Sequence, residues 1–149
     1  MSDPVHEAAN LFMGLCLAKL VEMERVRLEQ VNGNWRVEFN GVKLHGKNFG
    51  GVATLDSNNR PVVYLSPQLN IEGLMFVIAH EAVHLAQICR GDYFPSFGFS
   101  IWKEKEYVLL PAGDPGYASQ PWEAEAFELS PVLLEHVKSK VASSSRNAT

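Results

Sequence analysis

The chain has 149 residues, a length that favours a single domain able to bury a core without disulfides or partners. Its 46% hydrophobic and 20% charged residues are ordinary for a globular protein. The net charge of -4 argues against a general nucleic-acid binder, which needs a basic face, and gives no reason to expect attachment to an anionic membrane.

The apolar run Leu11 to Ala18 follows Asp3, His6 and Glu7 with no Lys or Arg before it. It lacks the basic start of a secretory signal and is too short to span a bilayer, so the expectation is a cytoplasmic protein, or one acting in a host cytoplasm if virus-encoded. Cys16 and Cys89 stand in no CxxC or other metal-ligand pair, and two free thiols are the simpler reading.

Residues 4 to about 30 read as one helix, with Pro4 in its first turn and Leu11, Leu15, Ala18 and neighbours as the apolar face, stopped at Asn32-Gly33-Asn34. Trp35, Val37 and Phe39 alternate with polar residues as in a strand. Asn40-Gly41 then predicts a hairpin with Val42-Lys43-Leu44 as the returning strand. A second hairpin runs from Val52–Leu55 through Asp56-Ser57-Asn58-Asn59 to Val62–Leu65, giving a small, mostly antiparallel sheet.

A helix from Ile71 to Arg90 follows, ended by Gly91. Residues 92–120, rich in Pro, Gly and aromatics, read as irregular. Pro121 opens another helix, which Ser130-Pro131 breaks or restarts and which ends near Val141. Residues 142–149 read as a disordered polar tail. With no repeat and no long linker, the expected organisation is one α+β domain over residues 1–141.

Within the 71–90 helix stands His80-Glu81-Ala82-Val83-His84, an HExxH motif. Residues i and i+4 share a helix face, so two imidazoles there can reach one Zn²⁺. The intervening Glu sits on the flank of that face, where it can act as general base on water at the metal. At 100° per residue, Val77, His80, Glu81, His84, Gln87 and Ile88 form the ligand face. Met75, Ile78, Ala79, Ala82, Val83, Leu85, Ala86 and Cys89 form the opposite, packing face. Two histidines and a glutamate on so apolar a helix require a partner.

The stretch Ile78-Ala79-His80-Glu81-Ala82-Val83-His84-Leu85-Ala86-Gln87 resembles the active-site helix of zincin metallopeptidases. The resemblance implies a helix, a small sheet whose edge strand lines a cleft, the HExxH helix and a third ligand downstream. The metzincin branch needs Gly and His at fixed offsets after His84; the sequence has Arg90, Gly91 and no His there, so that branch is excluded. Asp114, Glu123, Glu125 and His136 remain as candidates.

Trp122-Glu123-Ala124-Glu125-Ala126-Phe127 is similar to the ExxA-type stretch of gluzincins, which implies Glu123 as third ligand. Helical geometry independently places Glu123 within an inward arc defined by Trp122, Ala126, Phe127 and Leu129. Glu125 stays open as a register alternative. Asp114 faintly resembles the ligand of the Asp branch, although Asp-Pro-Gly is also good turn chemistry. His136, His45 and His6 read as surface residues, and His6-Glu7-Ala8-Ala9-Asn10 is only half a motif. Phe127 departs from the family: many gluzincins carry an Asp there that orients a zinc histidine, so another group, such as a backbone carbonyl, must do so here.

The resemblance implies a zinc-dependent peptidase with one Zn²⁺ on His80, His84 and Glu123, water activated by Glu81, and Tyr117 or Tyr107 as oxyanion donor. A peptide or protein substrate would pair with a sheet edge near Val62–Leu65. Phe94, Phe97, Phe99, Ile101 and Trp102 line a pocket or cover the core, and Lys103-Glu104-Lys105-Glu106 reads as a solvated strand or turn. The rival reading is an inactive zincin-fold binding module that retains metal. Cys89, on the opposite helix face from His84, is badly placed to close a structural zinc site.

Overall fold

The protein is described by a computed structural model over residues 3–44, 50–96, 98–111 and 113–147, with side chains up to residue 144. His45 and Phe97 lie outside the described residues. The fold is α+β.

Helix α1 (Pro4–Glu22) starts where Asp3 accepts a hydrogen bond from the Val5 amide through its side chain, with Pro4 in the first turn. It ends earlier than its sequence suggests. Glu24 takes a left-handed conformation (φ 61°), the chain folds back, and a one-turn helix α2 (Leu28–Val31) follows. Val26 and Val31 are buried by this reversal, which a straight helix to residue 30 would leave in solvent.

Strands β1 (Arg36–Phe39), β2 (Gly51–Leu55) and β3 (Pro61–Leu65) form a mixed sheet in the order β1-β3-β2. The β2–β3 hairpin matches expectation. Its turn is held by Asp56, whose side chain accepts from the Asn58 and Arg60 amides. The expected Asn40-Gly41 hairpin does not form. Asn40 instead accepts from the Val42 and Lys43 amides through its side chain and starts a 3₁₀ turn over Val42–Leu44. β1 pairs in parallel with β3, so β3 is central. Val63 and Leu65 face the main core, whereas Val62 and Tyr64 pack with Leu44 on the other face.

Helix α3 (Ile71–Cys89) is capped by Asn70, whose side chain accepts from the Gly73 amide, and ends before Gly91, which has φ 85°. It is long and apolar enough to cross a membrane, yet its turns pack against α1, β2 and helix α4 (Pro121–Asn147). Ala79, Ala82 and Ala86 let those neighbours approach closely. Gly50 and Gly51 do the same for β2: a Cβ on Gly50 would overlap Val77 Cγ2, and one on Gly51 would lie 2.9 Å from Val77 Cγ1.

Residues 93–108 hold a sheet where an irregular stretch was expected, with Lys103–Glu106 as its solvated turn and strand, while residues 109–111 and 113–116 carry no helix or strand. Strands β4 (Tyr93–Pro95), β5 (Phe99–Trp102) and β6 (Lys105–Val108) form an antiparallel meander. Its β5–β6 turn places both Lys103 and Glu104 at positive φ. Phe99, Ile101 and Trp102 belong to this sheet. A 3₁₀ turn at Tyr117–Ser119 then leads into α4.

α4 runs unbroken through Pro131 and continues to Asn147, so the expected break and much of the expected tail are replaced by helix. The backbone hydrogen bond that Pro131 cannot donate would reach the carbonyl oxygen of Phe127, on the exposed side of the helix where water can serve it. On the inner side Leu129, Leu133 and Val137 are buried in a continuous stripe that holds the two halves in line. Cys16 and Cys89 are both free thiols.

Candidate metal centre

α3 and α4 contribute the site. His80 and His84 are one turn apart on α3, and Glu123 faces them from the first turn of α4. Their ligand atoms all lie within 4.8 Å of one another. Glu123 Oε1 is 2.8 Å from His84 Nε2, and Oε2 is 3.3 Å from His80 Nε2. The side chains of His84 and Glu123 are 7% and 6% exposed, and that of His80 is 21% exposed, so the cluster opens to solvent on the His80 side.

These residues are placed to hold a metal ion. Two imidazoles and a carboxylate are the three-ligand donor set that leaves one position open. Glu123 Oε2 supports the fit: it is buried without a hydrogen-bond partner, a cost that a cation would remove.

The electrostatics express the same need. Burial disfavours charge on His84, Glu123 and the neighbouring Glu81. At His84 this is outweighed by Glu123, Glu81 and Gln87, and its pKa is pushed up to about 9. At Glu123 it is outweighed by the two imidazoles, and its pKa is lowered to about 2. At Glu81 burial wins: its pKa is raised, although His84 and His80 pull the other way. Glu81 Oε1 accepts from the Ala53 amide at 3.0 Å, which ties α3 to strand β2.

The other candidates go elsewhere. Glu125 faces away from the ion site and pairs with Arg90 at 2.8 Å and Arg25 at 3.3 Å. Asp114 accepts from the Gly116 amide through its side chain and is a turn residue. His136 lies just past the middle of α4, near Lys19, Lys140 and Glu22 and away from the cluster. His6, read as a surface residue, is half-buried with Nε2 2.8 Å from the Val37 carbonyl oxygen.

Tyr107 packs edge-on against Trp122. Tyr117 lies near the cluster, its phenol pushed up by burial and by Glu123 and Glu81. Phe127 is not part of an inward arc: it is 50% exposed, with its ring 5.3 Å from that of His80.

Three contributors escape a reading by motif. Gln87, on the ligand face, is the group that stands in for the missing carboxylate at His84: its Oε1 is 2.9 Å from His84 Nδ1. Tyr93 lies over His84, 5.7 Å between ring centres, and stacks on Trp122. The Ala53 amide comes from a strand 28 residues away. Only Gln87 carried a signal, its i+3 spacing from His84 on an otherwise apolar helix.

Comparison with known proteins found no matching family model, no similar curated protein and no similar solved structure. Fold and site together define an α+β protein with a candidate His–His–Glu metal centre.

Proposed function

We propose that this chain is a zinc-dependent hydrolase, specifically a peptidase of the zincin type, with Zn²⁺ held by His80, His84 and Glu123. The observation that carries this reading is Glu81. It is buried beside the cluster and contributes no ligand atom to it, and burial raises its pKa. A carboxylate kept in such a place is suited to taking and returning a proton. When bound, zinc supplies Lewis acidity, which polarises a carbonyl and acidifies water. Glu81 accepts the proton of the attacking water and delivers it to the leaving amine, with its carboxylate held by the Ala53 amide. Tyr117 is the proposed donor to the developing oxyanion.

The route for a peptide differs from the one expected. Val62–Leu65 is the central strand β3, paired on both edges, and cannot accept another strand. β2 is the edge strand that packs on α3 and is the better guide for an extended substrate. Phe76, one turn before His80, and Phe127, one turn after Glu123, are both exposed large aromatics. They favour a substrate with an apolar side chain beside the cleaved bond.

The non-catalytic reading of the metal has less support. Among the described residues no fourth His, Cys, Asp or Glu joins the group. Cys89 instead lines a cleft of about 310 Å³ with Gln30, Asn34 and Tyr93. The deciding experiment is metal analysis followed by a peptide-library cleavage assay of wild type and Glu81→Gln. Retained zinc with lost cleavage is expected, and full activity of Glu81→Gln would sink the mechanism.

A further inference from the structure

Gln87 is fully buried, and its carboxamide makes three hydrogen bonds. Nε2 donates to the Trp122 carbonyl oxygen at 3.0 Å and to Glu125 Oε1 at 2.9 Å, and Oε1 lies 2.9 Å from His84 Nδ1. The two ends of a carboxamide are usually assigned only from their surroundings. Here the surroundings leave one choice. A backbone carbonyl and a carboxylate paired with two arginines can only accept, so the NH₂ group must face them. Oε1 must then face His84, and His84 must donate from Nδ1. The ring atom left for a metal is Nε2, the one that lies 2.8 Å from Glu123.

Glu125 is itself fixed by Arg90 Nη2 at 2.8 Å and Arg25 Nη1 at 3.3 Å. Arg90 also donates to the Arg25 carbonyl oxygen at 3.1 Å, which ties the loop after α1 into the same chain of contacts. No such partner holds the Nδ1 of His80 among the described residues.

We propose that Gln87 is the positioning residue of the metal site. Oriented by Glu125 and the Trp122 carbonyl, it locks His84 in the tautomer that presents Nε2 to the ion. The inference rests on the metal reading above. Its role is the one a carboxylate usually fills beside a metal-bound histidine, a place worth about 10–100-fold in metal affinity.

The direct test uses the intact wild-type chain, zinc-loaded, in long-range ¹H–¹⁵N NMR. His84 is expected to show a protonated, slowly exchanging Nδ1 and a metal-bound Nε2, with faster exchange at His80. Ligation of His84 through Nδ1 would overturn the proposal. A second test reads zinc affinity by competition with a chelator. Gln87→Met keeps the bulk of the side chain but removes the acceptor for His84 Nδ1, and should weaken zinc by about 10–100-fold. Gln87→Glu combined with Glu125→Gln keeps an acceptor at 87, and the new carboxamide at 125 can donate to it and still accept from Arg90, so this double variant should bind zinc more tightly than Gln87→Met. Unchanged affinity in Gln87→Met, or a double variant no better than it, would also overturn it. A wild-type chain that binds no zinc would instead overturn the metal reading itself.

Discussion

The two histidines of the motif occupy different environments. His84 is closed in, with Glu123 on one nitrogen, Gln87 on the other and Tyr93 across its ring. His80 is partly open and rests on the exposed Phe127. One sequence pattern thus yields an anchored imidazole and an imidazole at the mouth of the candidate site. The difference arises from what packs on successive turns of α3, where the turns after His80 are buried on all sides and those before it are not.

The largest expected effect is at the anchored side. His84→Ala strands the buried carboxylate of Glu123 and should cost the metal-free protein roughly 3–5 kcal/mol in urea unfolding, besides metal affinity. His80→Ala should lose metal as well, yet cost only roughly 0–1 kcal/mol of stability, because its contact with Glu123 is longer and partly solvated. Equal losses of stability from the two substitutions would erase the distinction.

Next is the support beneath the site. Gly51→Ala forces β2 away from Val77 and the Tyr64 carbonyl oxygen, which strains the Ala53–Glu81 contact. It should lower stability by about 1–3 kcal/mol in thermal unfolding and reduce turnover.

The pH response of the cluster follows from its two shifted groups. Without metal, His84 is raised from 6.5 to about 9, so its contribution to stability is full below pH 6.5 and is lost as pH rises through 9. Glu123 is lowered from 4.5 to about 2, so its contribution is full above pH 4.5 and is lost as pH falls through 2. Zinc bound as proposed would have to displace the His84 proton. Its apparent affinity, measured by chelator competition, should therefore rise about tenfold per pH unit from near neutrality and level off near pH 9.

The smallest expected effect is at the mouth. Phe127→Ala should leave folding nearly unchanged, because the side chain is half exposed. It should raise KM for peptides with an apolar residue beside the cleaved bond by about tenfold.

The candidate metal centre was legible because helical spacing is local: His80, Glu81 and His84 share a helix face, and Glu123 sits among inward-facing neighbours in the first turn of its own helix. The β2–β3 hairpin was legible for the same reason, since Asp56 to Asn59 carry strong turn chemistry. What stayed hidden depended on partners distant in sequence or on turns without their usual residues. Lys103–Glu106 was legible as a strand or turn, but the hairpin around it was not: Lys103 and Glu104 adopt positive φ where Asn-Gly would signal a hairpin, and the strands around them are only four residues long. Glu24 likewise ends α1 in a left-handed conformation without a glycine. The parallel pairing of β1 with β3 has no local signature, and it diverted Asn40-Gly41 from a hairpin to a 3₁₀ turn. Pro131 marked a break that buried leucines on both sides overrode.

The central claim is that His80, His84 and Glu123 hold one zinc ion through two imidazoles and a carboxylate. X-ray absorption at the zinc edge of the purified, zinc-loaded protein tests it most directly, with Glu123→Ala alongside. Two imidazole nitrogens at about 2.0–2.1 Å plus oxygen ligands are expected in the wild type, and a marked loss of affinity in the variant. A zinc shell without histidine, or equal affinity in Glu123→Ala, would contradict it.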